Sequence, residues 1–344
     1  MTLRTLFSLR PVLIVVLLAL TLAIPYLTTS FYTSVATQVL IFGLFAMSID
    51  LLGGYAGLMP LGHAALLGVA GYALGYGITA LHAPVGVAAL GALVATLLAS
   101  LLFGLMAVRT SGVSFTMITL AQGLLIWGLS IKLYWITGAE NGMRGIARPD
   151  FAVLYWQFYY LTLLIFAVCA VLIWMVVRSP FGLTVLGLRE SESRMRALGY
   201  NTTLHKLLIF MISGLFAGVA GILYAWYNNF ISPSAVYMTP SAEGVLMVIL
   251  GGAGTLFGPV IGAAIVVVVK NLVSIYVQRW PTLLGVIFVL TILFARDGLL
   301  GLARRATARR APRPEPERAP SEILEPTGPR TSVAGQVDKA ASGR

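Results

Sequence analysis

One cysteine, Cys169, occurs among 344 residues, so no disulfide can form within the chain. It lies in an apolar segment, as a packed thiol does. Charge is also scarce: Lys, Arg, Asp and Glu make up 10% of the chain, against about 25% in an ordinary soluble domain. Histidine is rare, and no His/Cys cluster, carboxylate pair or nucleophile constellation is present, which argues against an enzyme. There is no G-x-x-x-x-G-K-S/T phosphate loop, so the chain is not expected to bind or hydrolyse ATP. A formal charge of +11 raises the question of nucleic acid. From Ala303 onward, however, nine Lys or Arg stand against five Asp or Glu. Most other cations flank apolar segments, so no nucleic-acid partner is expected.

What the chain has in abundance is apolar sequence: 58% hydrophobic residues and a mean hydropathy of +0.91. A membrane span needs about 20 mostly apolar residues, each rising about 1.5 Å across about 30 Å of hydrocarbon. Segments near 11–29, 35–52, 62–80, 85–108, 113–133, 158–178 and 205–226 meet that need. Region 244–276 is apolar but broken by Gly and Pro, and a last span covers 281–296. The 36 glycines suit close helix packing in a membrane. The first span follows Arg4 and Arg10 in signal-peptide fashion but lacks a small-x-small cleavage site after Pro25, so an uncleaved helix is expected. The fold class is therefore all-α: a polytopic integral membrane protein of about 8–10 spans with broken or re-entrant segments.

Lys and Arg set the orientation. Arg4 and Arg10 hold the N-terminus in the cytoplasm, and six alternating spans return the chain there at Arg178. Arg109, Arg189, Arg194, Arg196 and Lys206 then lie inside, while the loops near Ser30–Ser34 and His82–Ala83 lie outside without cations. Lys270 and Arg279 are expected to face outward, against the rule. Residues 1–302 form the transmembrane unit. Residues 303–344 form a basic tail with six prolines and no aromatic residue, too poor in apolar surface to order itself and expected to be cytoplasmic. Arg304, Arg305, Arg309 and Arg310 suit anionic headgroups beside the last span.

Between two spans lies the block Arg189–Asn201, within a loop over 179–205, holding five charged residues. Such a block cannot enter hydrocarbon, where a central charge costs at least ~2.5 kcal/mol. Pro180 disfavours helix at Ser179. One helix is expected over about 184–198, with Leu188, Met195 and Leu198 on one side. Gly199 suits a left-handed C-cap, and Thr202 or Thr203 the next N-cap. Such an amphipathic helix either rests on headgroups or docks a cytoplasmic partner.

Two stretches share an order of Leu-Gly-Gly, another Gly, Leu and Pro: Leu52–Gly62 and Leu250–Pro259. Related halves of this kind build transporter sites from broken helices. Gly53, Gly54, Gly57, Pro60, His63, Gly251, Gly252, Gly254 and Pro259 are the candidate translocation-pathway residues. Freed N–H groups near Gly53–Gly57 or Gly251–Gly254 would meet a substrate carboxylate; ordinary close packing is the plainer alternative. Asp50 and Glu243 lie at span ends, where caps or interface contacts are the plain account. His63 reads as a packed, hydrogen-bonded histidine, and His82 and His205 as loop or helix-end residues.

Several motifs resemble one family. Ser179-Pro-Phe-Gly182, Arg189-Glu190, Arg196-Ala-Leu-Gly-Tyr-Asn201, Lys206-Leu and Ser213–Gly221 resemble the permeases of branched-chain amino-acid ABC importers, the LivM type more than its LivH-type paralogue. Gly54-Tyr-Ala-Gly57, Leu61-Gly-His-Ala-Ala65, Phe115–Ala121 and Leu250–Pro259 follow the same family in order, over about 35–300. The chain departs from it at Leu186-Gly187-Leu188, at Ser191 and at Gly138–Gly142. The resemblance implies a multi-pass bacterial plasma (inner) membrane permease for branched-chain amino acids. Its partners would be a LivH-type subunit, two cytoplasmic ABC ATPases that carry ATP and Mg, an extracytoplasmic amino-acid-binding protein, and membrane lipid. No cofactor would belong to this chain. The charged block would be a coupling helix gripped by an ATPase, with Arg189, Glu190, Glu192, Arg194, Arg196, Leu198 and Gly199 as contacts. The alternatives are import of urea or short amides by the same class, and a proton- or ion-coupled carrier using Asp50, Lys132, Glu243 or Lys270. A membrane-embedded enzyme or scaffold is a third.

Overall fold

The computed structural model describes residues 21–26 and 28–274, with single positions at 282, 285, 286 and 289. The chain divides into two units, Met1–Arg304 and Arg305–Arg344, and every described residue belongs to the first. The basic tail, most of the first and last expected spans, and Arg279 lie outside the described residues.

The described chain is helical almost throughout. Helix α1, Ser30–Asp50, passes into a single π-turn at Leu51–Tyr55. An irregular stretch leads to α2, Ala64–Thr79, then α3, Val85–Ala107, and α4, Gly112–Lys132. The short α5, Tyr134–Thr137, opens a loop that ends at α6, Tyr155–Arg178. The charged block follows as α7, Pro180–Glu190, and α8, Glu192–Ala197, before the long α9, Thr202–Asn228. Helices α10, Met238–Gly251, and α11, Gly258–Val268, close the described chain, α11 running into a second π-turn at Val269–Val273. Six helical segments among the described residues are long and apolar enough to span a bilayer; α2 and Gly258–Val273 are shorter. The break expected in 244–276 falls at Gly252–Phe257, and α10 and α11 pack against each other across it.

Helix α1 is the centre of the bundle, buried without interruption from Leu40 to Asp50. It contacts α6, α9, α10 and α11. Helices α3, α4 and α6 instead expose rows of leucine and valine such as Leu98, Leu102, Leu125 and Val171. Such rows face lipid in a membrane protein, because hydrocarbon rewards no further apolar burial. Inner contacts rely on small residues: a Cβ at Gly218 of α9 would lie 2.8 Å from Thr96 Cγ2 of α3. At the end of α9 remote from the charged block, β1 (Met143–Arg144) pairs antiparallel with β2 (Phe230–Ile231). There Arg148 donates to the carbonyls of Trp226 and Tyr227, each at 2.7 Å, and its guanidinium lies 4.5 Å from the Phe158 ring centroid. A cation on the last carbonyls of α9 complements the negative end of that helix.

The charged block departs from the single helix expected over 184–198. Helix begins at Pro180, with Ser179 extended as its N-cap. It then breaks at Ser191, whose φ of −164° and ψ of 102° are extended and whose Oγ accepts from Arg194 N at 3.4 Å. A serine can offer its hydroxyl to the backbone in place of the helical bond, and here it starts a new helix. The break also separates the expected apolar side: Leu188 is buried, whereas Leu198 is 71% exposed. The N-cap of α9 is Asn201 rather than Thr202 or Thr203, its Oδ1 accepting from Leu204 N at 3.1 Å. Gly199 takes the left-handed conformation, φ +87°.

Candidate functional site: the meeting of two broken helices and the charged block

Broken helices inside a membrane must find partners for the backbone groups they free. In the first break, Leu58 N donates to Leu52 O at 2.8 Å. Thr116 Oγ1 of α4 donates to Met59 O at 3.0 Å, and Leu61 N donates to Thr119 Oγ1 at 3.2 Å. Ala64 N, opening α2, donates to Ser241 Oγ of α10 at 2.9 Å. The two threonines of the Phe115–Ala121 stretch thus support the first broken helix from a neighbouring span. Their hydroxyls in an otherwise apolar segment are the signal that could have revealed them.

His63 is fully enclosed. Ser213 Oγ donates to Ser48 O at 2.6 Å and lies 3.1 Å from His63 Nε2. Because the Ser213 proton is spent on Ser48, the ring nitrogen supplies its own, which fixes the Nε2–H tautomer. Among the described residues, His63 Nδ1 is buried without a hydrogen-bond partner. The histidine ties α1, the first break and α9 together.

The two glycine stretches, about 200 residues apart in sequence, meet face to face. Gly254 N donates to Asp50 Oδ1 at 2.8 Å. A Cβ at Gly54 would stand 2.0 Å from that same oxygen and 2.2 Å from Gly254 N. Asp50 is 2% exposed at the C-terminal end of α1, where the helix dipole disfavours a carboxylate. Into the same place comes Arg189 from the end of α7: its Nη1 donates to Gly54 O, and its Cγ would lie 2.9 Å from a Cβ on Gly57. One carboxylate, one guanidinium and two glycine backbones therefore lock the first break, the second break and the charged block to one another. Asp50 thus bridges two halves instead of capping its own helix.

This lock changes the expectation for the glycines. The Gly254 N–H already holds the protein's own carboxylate, leaving no place there for a substrate carboxylate. Gly251 and Pro259 sit at the α10–α11 contact, where a Cβ on Gly251 would meet Gly258 O at 1.8 Å. Gly53 faces Met59 Sδ, which a Cβ would meet at 2.4 Å, and Pro60 and Gly252 are buried. None of the nine candidate pathway residues lines the large cavity of about 1030 Å³ that opens among α1, α4, α9 and α10. That cavity carries Phe42, Trp127, Tyr224, Tyr237, Glu243 and Lys270 on its wall. Lys270 pairs with Glu243 on that wall.

Within the charged block the seven candidate contacts have different surroundings. Arg189 turns to the lock. Glu192 is held from two sides, accepting from Lys206 Nζ at 2.6 Å and Arg196 Nη2 at 3.1 Å. Lys206, on α9 and only 8% exposed at its side chain, anchors α8 to the bundle. Glu190, Arg194, Arg196, Leu198 and Gly199 are exposed. The hydrogen bond from Lys206, helped by the charges of Lys206 and Arg196, holds the Glu192 carboxyl below its ordinary value of 4.5. A carboxylate with a lowered folded-state pKa stabilises the fold above its unfolded value and loses that contribution as pH falls through the folded one. Amide protection over Glu192–Ala197, corrected for intrinsic exchange, is therefore expected to hold from neutral pH down to about 5 and to drop below it. Glu192→Gln should give lower protection without that drop; a wild-type profile in this variant would remove the pair from the account.

The family described as the permease component of branched-chain amino acid transport systems matches residues 31–295. The high-affinity branched-chain amino acid transport permease protein LivM of Salmonella typhimurium is 28% identical over 323 residues, 84% of this chain and 74% of that protein. LivM of Escherichia coli is 27% identical, over 85% of this chain and 75% of that protein. The autoinducer 2 import permease LsrC of Photorhabdus laumondii is 27% identical over 49% of this chain and 51% of its own length.

Proposed function

We propose, because this chain belongs to the family of branched-chain amino acid transport permeases, that it carries leucine, isoleucine and valine through the membrane as one subunit of an ATP-driven importer. It is a multi-pass membrane permease, and its relatives are transport permeases, not enzymes. In the proposed complex a LivH-type paralogue completes the pathway and an extracytoplasmic binding protein delivers the amino acid. Two cytoplasmic ATPases hold ATP and Mg, so this chain needs no cofactor of its own. The charged block and both termini face the cytoplasm.

The observation that carries this reading is Arg189. It belongs to a helix outside the spans, yet its guanidinium reaches the backbone where the two broken helices meet. A displacement of the block by a closing ATPase pair is thereby delivered to both breaks at once. Glu190, Arg194, Arg196, Leu198 and Gly199 form the exposed face offered to the ATPase, and Glu192 with Lys206 keeps that face fixed to α9. A flexible loop would absorb the stroke; two capped helices pinned at Arg189 and Lys206 pass it on.

Proteoliposomes holding the complete complex provide the test. ATP-dependent uptake of radiolabelled L-leucine that survives a protonophore is the expected result. Uptake without ATP that collapses with the proton gradient would instead make the chain a secondary carrier. Competition by unlabelled valine and isoleucine, but not by urea or acetamide, is expected for the amino-acid substrate class.

A further inference from the structure

We infer that Glu243 and Lys270 form the polar half of a substrate site in the large cavity, built for a zwitterionic amino acid with an apolar side chain. The inference rests on the permease reading and adds the residues that would hold the cargo. Lys270 Nζ donates to both oxygens of Glu243, each at 3.0 Å. The Glu243 side chain is 8% exposed and that of Lys270 35%, and both lie on the cavity wall. Glu243 stands on α10 and Lys270 on the π-turn after α11, so the pair joins the two arms of the broken segment well away from its glycine turn.

An ion pair with one partner buried and the other half-buried is a poor choice for stability alone. Two ions lose their hydration, and an apolar pair of the same size is often as stable or more so. Within a membrane the cost is greater, and ionisable side chains there mark pathways and binding sites. The surroundings specify the ligand. Around the pair the wall is apolar and aromatic: Phe42, Trp127, Tyr224, Tyr237, Val245 and Leu246. Trp127 and Tyr237 hold their ring centroids 5.2 Å apart as one surface. An entering amino acid exchanges partners with the pair. Its carboxylate takes the Lys270 ammonium, its ammonium takes the Glu243 carboxylate, and its side chain meets the aromatic wall. Pair and ligand are each neutral, so no net charge enters the low-dielectric interior. Glu140, from the Gly138–Gly142 loop, also lines the cavity and adds a carboxylate that disfavours anions.

The cavity lies at the upper end of the ~300–1,000 Å³ typical of ligand sites. That is roomy for one amino acid, so weak binding and easy release are expected, as suits a pathway fed by a separate binding protein.

The full-length chain in lipid nanodiscs, without ATP or binding protein, is titrated with radiolabelled L-leucine. Its failure there leaves ATP-driven uptake by the complete complex untouched as a separate result. Leucine is expected to bind saturably, whereas leucinamide, lacking the carboxylate, and N-acetyl-leucine, lacking the ammonium, should each compete at least about tenfold less well, the equivalent of one charged hydrogen bond. The double variant Glu243→Gln/Lys270→Gln keeps a side-chain hydrogen bond and leaves no lone buried charge. It should elute as folded protein with leucine affinity reduced at least about tenfold. Wild-type affinity in that variant, or equal competition by both blocked analogues, overturns the assignment. If the variant fails to fold, the analogue series on the wild-type chain decides alone.

Discussion

Gly54→Ala is expected to cut ATP-driven leucine uptake at least about tenfold in a complex that still assembles, since overpacking typically costs about 1–3 kcal/mol and 1.4 kcal/mol is a factor of ten. The reason is steric. The new Cβ would sit 2.0 Å from Asp50 Oδ1 and 2.2 Å from Gly254 N, and the second of these is backbone that cannot rotate aside. Either the Asp50–Gly254 hydrogen bond breaks or the two breaks separate, and both moves carry Gly54 O away from Arg189. The damage therefore falls where block and breaks are joined, not on the outer bundle. Gly128→Ala is the matched control, because a Cβ at Gly128 would meet nothing within 4 Å; its uptake should equal wild type. The measurement is initial uptake per complex in proteoliposomes, with size-exclusion elution as the check on folding. Uptake within twofold of wild type in Gly54→Ala would show that the glycine meeting point is tolerant packing with no part in transport. Asp50→Asn should be milder, because its amide oxygen still accepts from Gly254 N while the charge opposite Arg189 is lost.

The six long spans among the described residues, the break in 244–276 and the left-handed Gly199 were legible in the sequence because each is a local property. Apolar length sets a span, and Gly with Pro sets a break. The resemblance between Leu52–Gly62 and Leu250–Pro259 hinted at related halves, but sequence pattern has no term for which residues touch. Asp50 sits beside its own helix end in sequence, so a cap or an interface contact was the natural account; its partner Gly254 lies 204 positions away. Charge bias reads Lys270 only as a marker of membrane side and has no term for its pairing with Glu243, 27 positions away. The break at Ser191 was hidden by a charge pattern that continues at helical spacing through it. Only the choice of the serine hydroxyl between solvent and the Arg194 amide decides the point. The cavity left no mark in the sequence at all, since its wall gathers residues from six stretches between Phe42 and Gly285.

Gly199→Pro is expected to lose uptake at least about tenfold for the opposite reason, conformational instead of steric, since proline in an unsuitable conformation costs about 3 kcal/mol. A Cβ at Gly199 would meet nothing within 4 Å, so space is not the issue. Its φ of +87° is: proline is fixed near −65° and has no N–H. The bond from Gly199 N to Arg196 O at 3.0 Å disappears, and the bond from Tyr200 N to Met195 O at 3.1 Å loses its geometry. Helix α8 then frays from its C-terminal end, and the exposed face at Arg194 and Leu198 no longer moves as one piece with Arg189. ATP hydrolysis by the partner should continue while uptake falls, which is the signature of lost coupling rather than lost assembly. Gly199→Ala carries only the left-handed penalty of about 1–2 kcal/mol, keeps the N–H, and should retain much more of the uptake than the proline variant. Arg194→Glu complements both. It reverses an exposed charge while leaving the backbone N–H that Ser191 caps in place, so a loss of uptake there would come from the ATPase-facing surface itself. Normal coupled uptake in both Gly199→Pro and Arg194→Glu would place the ATPase contact elsewhere on the chain, and Arg189 would then be a packing residue of the lock alone.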